Sequence, residues 1–143
     1  MNKSKDSYRL PAQALLVLGL VDLLRGFMHT FNIHWAAVNI AGLNLSVAGN
    51  DQLFLLGTFG ISNFLTGFLF IYLSQRARQT APYVLIIIPA AYAIGTLGFI
   101  VAGLHKQAAF NGLYIMLVYL ASCVLIFIKF LLDQRRIRNV ENN

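Results

Sequence analysis

The fold class the sequence predicts is all-α: a bundle of four transmembrane helices in an integral membrane protein. Three observations predict it. Of 143 residues, 58% are hydrophobic and only 11% charged, against roughly one quarter charged in soluble domains. Four apolar runs, at about 10–29, 53–73, 83–104 and 109–132, each match the roughly 20 residues that cross about 30 Å of hydrocarbon. None shows the period-two alternation of a half-buried strand, and lipid requires every segment to satisfy its own backbone, so each run is expected to be a helix. Connections are short apart from the loop at 30–50, which leaves residues 1–143 as a single membrane domain with no room for a separate soluble one.

The first run follows Lys3, Lys5 and Arg9. It has the charge pattern of a secretory signal, but no small-residue cleavage pattern follows it, so it is expected to remain as a span. The second opens at "AGND", where Asn50 or Asp51 suits an N-cap. It carries two stripes: Thr58, Ser62 and Thr66, and beside them Gly57, Gly60, Asn63 and Gly67. Small residues let helices approach closely in lipid, which makes this run the expected packing centre. The third begins after Pro82, contains Pro89 as a potential kink, and offers Ala91, Gly95, Gly98 and Ala102 as another small seam, with Tyr92 and Thr96 polar. The fourth contributes Asn111, Tyr114, Tyr119 and Ser122, then Lys129, whose stem can snorkel to headgroups.

Charge sets the expected orientation. With four crossings, nine of the eleven basic residues fall on one side, leaving Arg25 and Lys106 toward the other. The positive-inside rule then places both termini in the cytoplasm, and a multi-pass protein of a bacterial-type inner (cell) membrane is the expected localisation. The same distribution argues against nucleic-acid binding despite a pI near 9.8, because the basic residues mark topology and form no patch. The lipid bilayer is the expected partner. Homo-oligomers or a partner subunit are the other expected partners, through the seams at Gly57, Gly60, Gly67, Gly95 and Gly98.

"GLVDLLRGFMHTF", residues 19–31, sets Asp22, Arg25 and His29 on one face of the first helix. Asp22 falls roughly 18 Å into a core of about 30 Å. A charge at that depth costs several kcal/mol unless paired or wetted, so this face is expected to turn into the bundle. Depth counting brings Asp22, Arg25, Thr58, Tyr92, Thr96 and Tyr114 to a similar level in the outer half, and with His29, Ser62 and Asn63 they make up the expected ligand-binding pocket. The bland alternative is a buried ion pair that fixes helix register, bonded to Thr58 or Tyr114. Neutralisation by Arg25 makes Asp22 a poor solitary proton carrier, which weighs against proton-coupled transport.

The uncharged loop at 30–50 has Trp35 for the interface and partial alternation in "VNIAGLNLSVAG". It reads as an extended or irregular segment, either a lid over the pocket or a plain seal of the helix ends. "NLS" at 44–46 matches a glycosylation sequon. No metal site is expected; His29, His34 and His105 are the weak candidates, near one surface but without the cluster a metal or haem needs. Cys123 is single and reads as an inert buried thiol. No motif for haem, nucleotide or metal is present, nor a GxSxG elbow, so the cofactor is unknown and an enzyme is the less favoured class.

An apolar first helix, a longer outer loop and then the glycine-rich second helix "DQLFLLGTFGISNFLTGFLF" resemble DoxX-like and related small four-helix bacterial membrane proteins. That resemblance covers most of the chain and implies a membrane redox or quinone context, with no site residues carried over. The function expected is a non-catalytic module that binds a lipid, a quinone-like or another small amphipathic molecule. The alternatives are a structural or accessory subunit of a membrane complex, and a small transporter superficially similar to the small multidrug resistance type. Dual-topology assembly of that type needs a weak charge bias, which this chain lacks.

Overall fold

The computed structural model describes residues 7–104 and 112–141. It contains α1 (Arg9–Thr30), a short α2 (Ile33–Asn39), α3 (Gly49–Arg76), a 3-10 turn at Arg78–Thr80, α4 (Ala81–Val101) and α5 (Gly112–Glu141). No strand occurs among the described residues, and four helices are long and apolar enough to cross a membrane. Their outward surface fits that setting. Leu24, Phe54, Leu65, Ile94 and Val118 are all exposed, an exterior that suits hydrocarbon and would be a liability in water.

The spans extend past their apolar runs. α3 starts four residues before the expected 53 and runs three beyond 73; α5 continues to Glu141, nine beyond 132. Its last turns are charged but contain good helix formers and an i, i+4 pair, Lys129 Nζ to Asp133 Oδ2 at 3.1 Å. α4 stops at Val101 rather than 104, because Gly103 takes a left-handed φ of +66°. The expected start of the fourth span at 109 lies outside the described residues. Asn50 and Asp51 are not N-caps: the cap is Ala48 at φ 50°, and Asp51 sits in the first turn, where a carboxylate favours the helix dipole.

α1 and α3 form the tightest pair, antiparallel and joined at two glycine crossings. A Cβ at Gly19 would lie 2.9 Å from the Gly67 carbonyl oxygen, and one at Gly26 would lie 3.1 Å from that of Gly60. These contacts set the register of the whole site. Gly60 and Gly67 are therefore occupied inside the chain, and Gly57 packs near Ile33 of α2. Gly95 and Gly98 are different: among the described residues nothing lies within 4 Å of a Cβ there.

The main apolar core fills the half of the bundle nearer the termini, where Leu15 and Leu18 of α1 meet Phe70, Leu85, Ile88 and Cys123. The termini share that end. Gln134 Nε2 donates to Ser7 Oγ at 2.9 Å, and the Tyr8 and Phe130 rings lie 5.3 Å apart. α4 is buried at Leu85 and Ile88 but, beyond Pro89, exposed at every residue except half-buried Tyr92. The far half of α4 thus stands apart from α1 and α3.

The connection at 30–50 is not an extended lid. Residues 33–39 are helical, with Ala36 and Ala37 fully buried, and α2 packs on α1 and α3. Ala36 and Ala37 are adjacent small residues whose burial follows no alternation, so a period-two pattern does not reveal it. Left-handed Gly42 and Ala48 turn the chain back into α3. The segment seals the α1–α3 end.

Candidate functional site

The glycine crossings bring Asp22 opposite the turn of α3 that contains Asn63 and Thr66. Asp22 is only 4% exposed, deep enough that an unpaired carboxylate would be strongly disfavoured. Three donors meet it. Thr66 Oγ1 donates to Oδ2 at 2.9 Å, Tyr119 Oη of α5 to the same oxygen at 3.4 Å, and Arg25 Nη1 to Oδ1 at 3.4 Å. One carboxylate thus ties α1, α3 and α5 together.

Arg25 lies one turn along α1 and is more open, with 22% of its side chain exposed against 6% for Asp22. Its guanidinium carbon sits 5.7 Å from the centroid of the Phe59 ring, within cation–π range. His29, a further turn along, has Nδ1 3.4 Å from Asn63 Nδ2. An amide NH2 can only donate, so in this arrangement Nδ1 accepts and the ring proton resides on Nε2. Polar groups therefore climb one face of α1 from Asp22 toward the α2 end.

Beside this face is a cleft of about 400 Å³, bounded by α1, α3, α4 and α5. Its polar end carries Asp22, Arg25, Ser62, Asn63, Thr66, Tyr92 and Tyr119, with Phe59 alongside. Leu69, Phe70 and Leu73 of α3 and Val84, Ile87 and Ile88 of α4 line the other end. From Phe59 to Leu73 the wall spans about 21 Å along α3 at the usual helical rise. The polarity is graded along that length. No residue of the 30–50 loop lines it, so the loop is not its roof.

Of the nine residues expected to form a ligand pocket, Asp22, Arg25, Ser62, Asn63 and Tyr92 line this cleft, and His29 adjoins it through Asn63. Thr58, Thr96 and Tyr114 do not. Thr58 donates to the Phe54 carbonyl at 2.9 Å and Thr96 to that of Tyr92 at 2.8 Å; both are exposed. Such back-bonding satisfies a hydroxyl against its own helix, so Thr58 and Thr96 need no interior position. Tyr114 is 72% exposed. The partners proposed for Asp22 are corrected accordingly: Thr66 replaces Thr58, and Tyr119 replaces Tyr114. The register signal was present in the sequence, since Gly19 and Gly26 are spaced as Gly60 and Gly67 are.

Among the described residues no group of three or more His, Cys, Asp or Glu side chains converges as metal binding requires. His34 lies exposed on α2 and away from His29's partners; His105 lies outside the described residues, as does Asn111. Cys123 is fully buried in the apolar core.

No family model, curated protein or solved structure matches the chain. The geometry of the cleft therefore carries the functional argument.

Proposed function

We propose that this protein is a non-catalytic membrane module that holds a small amphipathic molecule, a lipid or a quinone-like compound, in the cleft between α3 and α4. The observation that carries the reading is the graded wall: ionisable and amide groups at one end, leucine and isoleucine at the other, along one groove. A head would meet Arg25 and its neighbours while a tail lies against Leu69, Leu73, Val84 and Ile87. The similarity in layout to DoxX-like proteins, which implies a quinone context, points the same way. Orientation follows from charge, with both termini on the cytoplasmic face of a cell membrane because nine of eleven basic residues lie there.

Transport is disfavoured by what lies beyond Asp22. On the side of the termini the polar face ends in the closed core of Leu15, Leu18, Leu85 and Cys123. A polar solute that reached Asp22 would meet only apolar side chains beyond it.

Asp22→Asn with Arg25→Gln removes both charges together while leaving an uncharged polar group at each position. This double variant is expected to retain at least about tenfold less co-purifying amphiphile than wild type, because hydrogen bonds to charged groups contribute about 1.5–3 kcal/mol. Mass spectrometry of the extracted small molecules measures it. Unchanged retention in a folded double variant would sink the proposal.

A second reading, an accessory subunit, is favoured by the open face at Gly95 and Gly98. Crosslinking in native membranes that found only monomer with no neighbours would count against it.

A further inference from the structure

We propose that the cleft selects amphiphiles whose head is uncharged and accepts hydrogen bonds, a carbonyl-bearing head on an apolar tail, over those with an anionic head. This rests on the reading of the cleft as an amphiphile site and specifies its ligand class. Two features of the wall carry it: which hydrogen-bonding groups remain unspent, and the net charge around them.

The carboxylate is already served by Arg25, Thr66 and Tyr119. Arg25 is not. A guanidinium has five N–H groups and no acceptor, and among the described residues Arg25 makes a single hydrogen bond, the one to Asp22. Tyr92 is half-buried on the same cleft, and its hydroxyl has no partner among the described residues. The Ser62 hydroxyl, by contrast, is turned to the Thr58 carbonyl at 3.3 Å. The polar groups left for an incoming head are the Arg25 N–H groups not given to Asp22 and the Tyr92 hydroxyl, from α1 on one side and α4 on the other, in a wall that is otherwise almost entirely apolar. A carbonyl oxygen accepts from such groups, and bonds from an ionised donor are the stronger kind.

Charge makes the choice between acceptors. Asp22 and Arg25 cancel, so the polar end is already neutral as a pair. A carboxylate or phosphate head placed on Arg25 would be a second anion on one guanidinium, close to the Asp22 carboxylate, in surroundings that screen poorly. An ammonium head would face Arg25 and would bring only donors. An ester, ketone or amide head adds no charge and uses the free donors.

Photolabelling tests this on the full-length protein in detergent. The probe is an alkylated benzophenone, which has a neutral carbonyl head, an apolar tail and its own photochemistry. The competitors are methyl dodecanoate and dodecanoate, which share a chain and differ in head charge. Labelled peptides containing Arg25, Phe59 or Tyr92, at the polar end where the carbonyl sits, are expected, with methyl dodecanoate protecting them at about tenfold lower concentration than dodecanoate. Arg25→Gln is expected to weaken that protection about tenfold. Tyr92→Phe, which leaves the Asp22 hydrogen bonds intact, is expected to weaken it several-fold and serves if the Arg25 variant does not fold. Dodecanoate protecting as well as the ester, or better, would overturn the preference for a neutral head while leaving an amphiphile site. Absence of specific labelling in the cleft of the wild type would overturn both.

Discussion

Replacing Gly67 with Val is expected to destabilise the bundle by about 3 kcal/mol or more, at the upper end of what overpacking costs. A Cβ at Gly67 would lie 2.7 Å from Leu23 Cδ2 and 2.9 Å from the Gly19 carbonyl oxygen. A side chain can swing aside, but a helix backbone cannot without moving the helix. The pair α1–α3 would have to separate or slide, and the alignment of Thr66 with Asp22 would go with it. Gly95→Val is the matched control: it adds the same side chain where, among the described residues, nothing lies within 4 Å of the Cβ, and its effect on the single chain is expected to stay within about 0.5 kcal/mol, as for surface changes generally. Thermal unfolding in detergent, followed by helical circular dichroism, compares the two. Equal loss in both variants would contradict the assigned register.

Asp22→Ala is expected to cost about 3–5 kcal/mol, the range for removing one partner of a buried charge pair. The substitution strands Arg25 and leaves the Tyr119 hydroxyl without its acceptor, while Thr66 falls back on the Asn63 carbonyl at 3.1 Å. The combined Asp22→Ala, Arg25→Ala change should be milder than Asp22→Ala alone, because no uncompensated charge remains. That inversion is the diagnostic, read from unfolding of the three proteins side by side. If the double variant is as unstable as the sum of the two singles, the two side chains are not coupled. Among the described residues Arg25 makes one hydrogen bond, at 3.4 Å, so the coupling is expected to be moderate, with Thr66 at 2.9 Å holding the carboxylate more closely.

Run length and hydropathy made the four spans legible, because crossing hydrocarbon is a requirement on composition that needs no tertiary information. Helix ends were less legible. Ala48 begins α3 by adopting a left-handed conformation that its type rarely takes, and α5 runs through charged residues that no apolar criterion includes. At the site, the spacing of Asp22, Arg25 and His29 brought them to one face because those positions belong to one helix. Their partners belong to other helices, where depth gives a level but not a rotation or register. Thr58 and Thr96 were mistaken for interior groups because a hydroxyl bonded to its own helix can face lipid. Thr66 and Tyr119 followed only once Gly19 was set against Gly67 and Gly26 against Gly60. Short α2 was hidden by Ala36 and Ala37, whose burial comes from packing against α1 and α3 and not from hydrophobic periodicity.

The most direct measurement is a native mass spectrum of the protein released from its own membrane, compared with that of Ala91→Trp. Ala91 lines the cleft yet is exposed and makes no contact with the Asp22 carboxylate, so an indole there fills the groove without disturbing the polar node. A discrete small-molecule adduct on wild type, absent from folded Ala91→Trp, is the predicted result. An adduct that persists unchanged in Ala91→Trp, or a wild type that carries none, would contradict the assignment of the cleft as the binding site.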